Sequence, residues 1–223
     1  MSMDVIFMGP PGAGKGTQAE RVANERGIAH IATGDMLREA RRAGTPLGLK
    51  AQEIMARGDL VPDELVIEMF RDRLAQPDTE HGFVLDGFPR TLAQAEALNA
   101  MLDDLGRDIA SVVVFDIPLE TLVKRLSGRR VCTAHEHVYH VDTAPPNSDN
   151  VCDEDGSELY QREDDREDVI RSRYEKQWLQ AAKPVEEYYR DRGLVSHIDA
   201  SESRGNVARA VDELLAKLEG AAA

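Results

Sequence analysis

Gly9-Pro10-Pro11-Gly12-Ala13-Gly14-Lys15-Gly16-Thr17 follows the apolar run Asp4 to Met8 and opens a helical pattern that continues toward Arg26. Glycines at 9, 12, 14 and 16 let the backbone curl tightly and turn its amide hydrogens inward, while Lys15 and the helix N-terminus add positive charge. Such a loop is a cradle for polyphosphate. A plain glycine-rich turn would need neither the lysine nor Thr17, and the strand-loop-helix context fits the same reading. The general pattern has Ser or Thr directly after the lysine. Here Gly16 intervenes before Thr17, which argues against direct magnesium ligation by that hydroxyl.

Working outward from the loop, short apolar runs recur at Asp4 to Met8, Ile28 to Ala32, Gly82 to Leu85, Ser111 to Ile117 and Leu194 to Ile198. Continuous rather than alternating hydrophobicity suits parallel strands covered on both faces. Helical stretches with terminal punctuation lie between them: Gly106 follows Thr91 to Leu105, Pro118 opens Leu119 to Ser127, and Gly193 follows Pro184 to Arg192. The alternation predicts an α/β fold, a doubly wound parallel sheet of about five strands.

Two stretches depart from that rhythm. Residues 33–61 insert helical segments Asp35 to Ala43 and Leu47 to Arg57 before the helix at Asp63 to Leu74, which predicts a small helical flap. Residues 128–165 lose the helical pattern in favour of Val138-Tyr139-His140-Val141, Pro145-Pro146 and turn residues, which predicts a small β-rich subdomain. The core is then 1–32, 62–127 and 166–223.

The 223 residues can bury one substantial core, and 42% hydrophobic with 30% charged residues is globular composition. Acidic residues outnumber Lys and Arg by 41 to 27, for a net charge of -14, which argues against a general nucleic-acid binder. Any anionic ligand must meet locally concentrated arginine. No apolar run is long enough to span a membrane, and the first residues lack a secretory pattern, so a cytoplasmic protein is expected.

Gly14-Lys15-Gly16-Thr17, Thr33-Gly34-Asp35-Met36-Leu37-Arg38, Asp86-Gly87-Phe88-Pro89-Arg90 with Gln94, and Gly128-Arg129-Arg130, taken in order, closely resemble the adenylate kinase family over essentially the whole chain. That resemblance implies a P-loop fold with an AMP-binding flap and an ATP-covering lid. The implied reaction is reversible phosphoryl transfer between ATP, carried with magnesium, and AMP to give two ADP. Both nucleotides bind one chain, so a monomer is expected, with no nucleic-acid or membrane partner. A UMP/CMP-type kinase on the same scaffold and a nucleotide-binding switch without turnover are the rival readings. The second arginine cluster and the flap weigh against the switch.

By the resemblance, Lys15 with Gly12, Ala13, Gly14, Gly16 and Thr17 holds the ATP phosphates, and Arg38 and Arg90 hold the AMP phosphate. Arg125, Arg129, Arg162 and Arg173 close around the phosphates, with Arg129 toward ATP and Arg162 and Arg173 toward AMP or the transferring group. Thr33, Asp59, Leu60, Val61, Gly87, Phe88, Pro89 and Gln94 complete the AMP site, while Val138 and Tyr139 lie near the ATP adenine and ribose, although Tyr139 also suits a lid core. Arginine suits this work because its planar fork grips phosphate through two donors. Asp86, at the end of an apolar strand, is positioned to hold magnesium through water, or else to cap the following turn. Asp164 and Asp165 match the acidic pair at the end of the family's lid, and read equally as solvated charges.

Cys132 and His135, then Cys152 and Asp155, form two short knuckles within the β-rich region. Two thiolates, an imidazole and a carboxylate can close a tetrahedral structural zinc site, with no position left for water. The alternatives are a metal-free polar network, two buried thiols and a disulfide disfavoured by a reducing cytoplasm, and His137, His140 and Asp153 are the other candidate ligands.

Overall fold

The computed structural model describes residues 2–56, 59–135 and 137–221. Its centre is a five-stranded parallel sheet in the order β2-β3-β1-β4-β8. These strands are β1 (Met3–Met8), β2 (Ala29–Ala32), β3 (Gly82–Asp86), β4 (Ser111–Asp116) and β8 (Val195–Asp199). Register aligns Phe7 with Asp86 and Val113, Ala32 with Asp86, and Asp116 with Asp199, so the carboxyl ends of β1, β2 and β3 open together on one edge.

Successive residues of a strand face opposite sides of a sheet. Ile6, Met8, Leu85 and Val114 accordingly pack under α4 (Asp63–Leu74), α5 (Leu92–Asp104) and α8 (Lys183–Arg190), with Phe70, Leu98, Val185 and Tyr189 among the helix residues that meet them. Val5, Phe7, Val113 and Phe115 face the other way, onto α1 (Lys15–Arg26) and α9 (Arg204–Ala221) through Val22, Val211 and Leu215. Burial on both faces is the physical reason the strands read as unbroken apolar runs.

The helical insertion forms α2 (Thr33–Arg42) and α3 (Pro46–Ala56), which pack on each other; the expected end of the second segment at Arg57 lies outside the described residues. After α6 (Leu119–Ser127) a separate antiparallel sheet, ordered β6-β5-β7, is built from β5 (Arg129–Cys132), β6 (Val138–His140) and β7 (Leu159–Tyr160). Cys132, Cys152 and Leu159 are buried beneath it with Tyr139.

Two helical regions exceed the sequence expectation. The chain is helical from α7 (Glu167–Arg173) through a π-helical segment (Tyr174–Ala182) into α8, whereas the punctuation marks only the stretch from Pro184. Pro184 sits where i→i+5 bonding gives way to the α register, so its missing N–H interrupts no long α-helical ladder. The segment after Asp199, to which the sequence reading assigns no helix, forms α9 on an apolar stripe at Val207, Val211 and Leu215. No described helix is long and apolar enough to cross a membrane.

Candidate active site

The glycine-rich loop leaves β1 and delivers its backbone to the first turn of α1. Gly12 takes a φ of 86°, and a Cβ there would come within 2.7 Å of Leu126 Cγ, so no larger residue lets the loop curl against α6. Lys15 folds back over the loop, its Nζ donating to Gly9 O at 2.8 Å and Pro10 O at 2.9 Å. Two carbonyls do not balance an ammonium charge. Burial, with Arg90 and Arg173 adding repulsion against the opposing pull of Asp86, lowers Lys15 from 10.5 to about 8.

Lys15 borders a cleft of about 590 Å³ whose walls include Asp86, Arg38, Arg90, Arg129 and Arg173. Arg90 is held by its Nε on Gly87 O at 2.6 Å and its Nη1 on Gln177 Oε1 at 3.0 Å. Burial and then the charge of Arg173 depress Arg90 to about 10, with Arg38 contributing in the same direction. Burial likewise lowers Arg173, even though Arg173 Nη1 lies 2.7 Å from Asp164 Oδ2. Cations have been gathered here until each destabilises the next. Asp164 also shifts downward, which for a carboxyl favours the charged form: burial acts to raise it, but the joint field of Arg173, Arg129, Arg162 and Arg38 outweighs that. Arg129 grips the fully buried Asp165 through two bonds of 2.8 and 2.7 Å, yet burial still leaves Asp165 above its ordinary value.

Beside this cleft a smaller cavity of about 70 Å³ is lined by Thr33, Leu60, Val61, Gly87 and Gln94 together with Arg90. Gly87 has a φ of 79°, and a Cβ there would stand 2.7 Å from Arg90 Nη2, so glycine is what admits the guanidinium. Thr33 Oγ1 donates to Gly87 O at 2.9 Å. In the small sheet, ligand atoms of Cys132, His137, Cys152 and Asp155 all lie within 4.8 Å of one another. His137 Nδ1 is 3.2 Å from Cys152 Sγ and 3.6 Å from Asp155 Oδ2, and Cys132 Sγ is 3.2 Å from Asp155 Oδ2.

The adenylate kinase family model matches residues 7–194. An adenylate kinase of Archaeoglobus fulgidus is 51% identical over 97% of this chain and 100% of its own length. That of Carboxydothermus hydrogenoformans is 48% identical over 96% of this chain and all of its own, and that of Bacillus subtilis 43% identical over 97% and 100%. The chain belongs to the adenylate kinase family.

Within this adenylate kinase scaffold most of the expected residues come together at the carboxyl edge, while several side chains have other employment. Arg125 lines the same cleft, but two of its donors are committed: its Nη1 donates to Ala200 O at 2.7 Å and its Nη2 to Ser201 O at 3.2 Å. Val138 is exposed and borders the cleft, but the Tyr139 hydroxyl turns into the small sheet, accepting from Asp153 N at 2.8 Å. Gln94 accepts from Arg90 N and donates to Asp63 Oδ1, both at 2.7 Å, so one donor and one lone pair are already committed. Phe88 is core, stacked on Phe70 with centroids 4.3 Å apart, and Asp59 Oδ1 accepts from Lys176 at 2.7 Å. Asp86 stays at the cleft, with a Cβ on Gly16 placed 3.0 Å from its Oδ2.

The histidine of the group is His137 rather than the expected His135. His135 stands outside the four-residue group, its Nδ1 2.8 Å from Asp155 Oδ2, and His137 takes the inner place. The hairpin decides this: Cys132 N donates to His137 O at 2.9 Å, which sets the two residues opposite each other across β5 and β6. Asp63, Gln177 and Trp178 belong to no motif. Only the four-residue step from Arg173 to Gln177 offers a signal for the second of them.

Proposed function

We propose that the protein catalyses reversible transfer of the ATP γ-phosphoryl group to AMP. An oxygen of the AMP phosphate attacks the γ-phosphorus, the bond to the β,γ-bridging oxygen breaks, and two molecules of ADP result. The observation that carries this reading is the meeting of two anion-holding sets in one cleft: the loop with Lys15 on one side, and Arg38, Arg90 and Arg173 on the other. A simple nucleotide binder needs only the first set. Such transfer requires positioning and charge neutralisation more than covalent help, and a crowd of mutually repelling cations supplies the second as soon as phosphates enter.

In this reading Arg129 serves ATP, Arg162 and Arg173 serve AMP and the group in flight, and Thr33, Leu60, Val61 and Gln94 border the acceptor base. Arg125, anchored by its edge to carbonyls, offers its planar face to the ATP base. Magnesium entering with ATP neutralises charge between its phosphates, and Asp86 is the carboxylate that would hold it through water. Residues 33–61 act as an AMP-binding flap and 128–165 as a lid over ATP, on a core of 1–32, 62–127 and 166–223, all within a monomer. The two thiols, imidazole and carboxylate of Cys132, Cys152, His137 and Asp155 fit a tetrahedral zinc ion, which would brace the lid without taking part in the reaction.

ADP formation from ATP and magnesium is measured with AMP, UMP, CMP and GMP offered separately, and with no acceptor. Strong preference for AMP is expected. Preference for UMP or CMP overturns the base-site reading, and equal ATP loss without acceptor overturns phosphoryl transfer between nucleotides.

A further inference from the structure

We infer that Gln177 is a positioning residue for the acceptor phosphate, acting through Arg90. This inference rests on the reading of Arg90 as an AMP-phosphate ligand.

Arg173, Gln177, Trp178 and Ala182 all line the main cleft. In an α-helix of 3.6 residues per turn, the nine steps from 173 to 182 make about two and a half turns, which would put the two ends on opposite faces. Bonding from i to i+5 widens each turn, so the same nine steps close roughly two turns and all four residues share one face. The wider register runs from Tyr174 to Ala182, spanning this stretch. An α-helix would also keep Gln177, four residues on, beside Arg173; what the wider register adds is to bring Trp178 and Ala182 round to the same face.

What the segment delivers to Arg90 is a neutral acceptor. Gln177 is 6% exposed, and its Oε1 receives Arg90 Nη1 at 3.0 Å. With Nε on Gly87 O, two of the five guanidinium N–H groups are fixed and the plane of the fork is set, so the remaining donors point in a defined direction. A carboxylate at 177 would fix the same geometry while cancelling the charge that must grip phosphate. The charged neighbours make that distinction consequential: Lys15, Arg38 and Arg173 repel Arg90, and Asp86 and Asp164 already supply negative charge. An amide orients Arg90 without adding a third anion.

Two near-isosteric variants separate positioning from packing. Gln177→Met fills the space without the acceptor, and Gln177→Glu keeps the acceptor but adds charge. KM for AMP and for ATP, kcat and the melting temperature are measured on the full chain. Loss of a hydrogen bond to a charged group gives an expected rise of about tenfold in the AMP KM for Gln177→Met. Gln177→Glu should raise it further by competing with the phosphate, while the ATP KM and the melting temperature of both variants stay near those of the parent. An unchanged AMP KM in both variants, or equal rises for AMP and ATP with a lowered melting temperature, overturns the inference. Should the parent protein form no ADP from AMP at all, it is the proposed function that fails, and the two failures are told apart by that control.

Discussion

Asp4, near the start of β1, and Lys15, just beyond its end, anchor two charged assemblies of opposite design. Asp4 is fully buried, and Arg107 closes on it with both arms of its fork, one bond measuring 2.8 Å, while the guanidinium lies 5.0 Å from the Phe83 ring centroid. One anion meets one cation. Around Lys15 the cations outnumber their partners, and Lys15, Arg90 and Arg173 are all pushed below their ordinary values. A matched buried pair specifies a structure; an unmatched cluster waits for a ligand that completes it.

The largest expected effect tests the unmatched end. Lys15→Ala should cut kcat/KM for ATP roughly a hundred- to thousand-fold, as loss of a transition-state charge contact does, while the melting temperature holds or rises because a poorly compensated buried charge is gone. Steady-state kinetics beside calorimetry checks both halves. At the matched end the pattern inverts. Asp4→Ala strands Arg107 and should cost about 3 kcal/mol of folding stability, read by denaturant melts, while leaving turnover per folded molecule unchanged. If Asp4→Ala instead lowers kcat and spares stability, the contrast between the two ends is broken.

The small sheet offers a third case, a cluster whose proposed match is a metal. Elemental analysis is expected to find one zinc per chain. His137→Ala should lose the ion and lower the melting temperature by several degrees, whereas His135→Ala should retain it. Retention by His137→Ala would return the fourth ligand to His135, and a parent protein without zinc would remove the metal reading.

A smaller effect concerns pH. Lys15 in the nucleotide-free cleft titrates near 8, so its charge is present below that value and lost above it. Phosphate raises the ammonium pKa again, and ATP binding above pH 8 must therefore take up a proton. Affinity should fall by up to about tenfold per pH unit between pH 8 and the pKa of the bound state. Calorimetry in buffers of different ionisation enthalpy measures the uptake, and its absence at pH 8.5 would show that Lys15 is already fully protonated.

The strands and the phosphate loop were legible because their causes are local. Burial on both faces writes an unbroken apolar run, and a cradle for phosphate needs glycines and lysine at close spacing. Gly87 and Arg90 were visible in the same way, as neighbours in one turn. The π segment left no comparable trace, since a register of i→i+5 carries Trp178 and Ala182 off the helical period by which a buried face is found. His137 was one of several candidates for another reason. A knuckle with two intervening residues favours His135, and only the pairing of β5 with β6 brings His137 across from Cys132. Arg125 has the residue type of a phosphate ligand, and its partners at Ala200 and Ser201 are distant in sequence.

If the unmatched cations exist for two phosphate-bearing ligands at once, the most direct measurement is calorimetric titration of AMP into protein saturated with a non-hydrolysable ATP analogue and magnesium. One AMP per chain should bind while the analogue remains in place. AMP that binds only by displacing the analogue would mean a single nucleotide site, and the excess of arginine at the carboxyl edge would need another explanation.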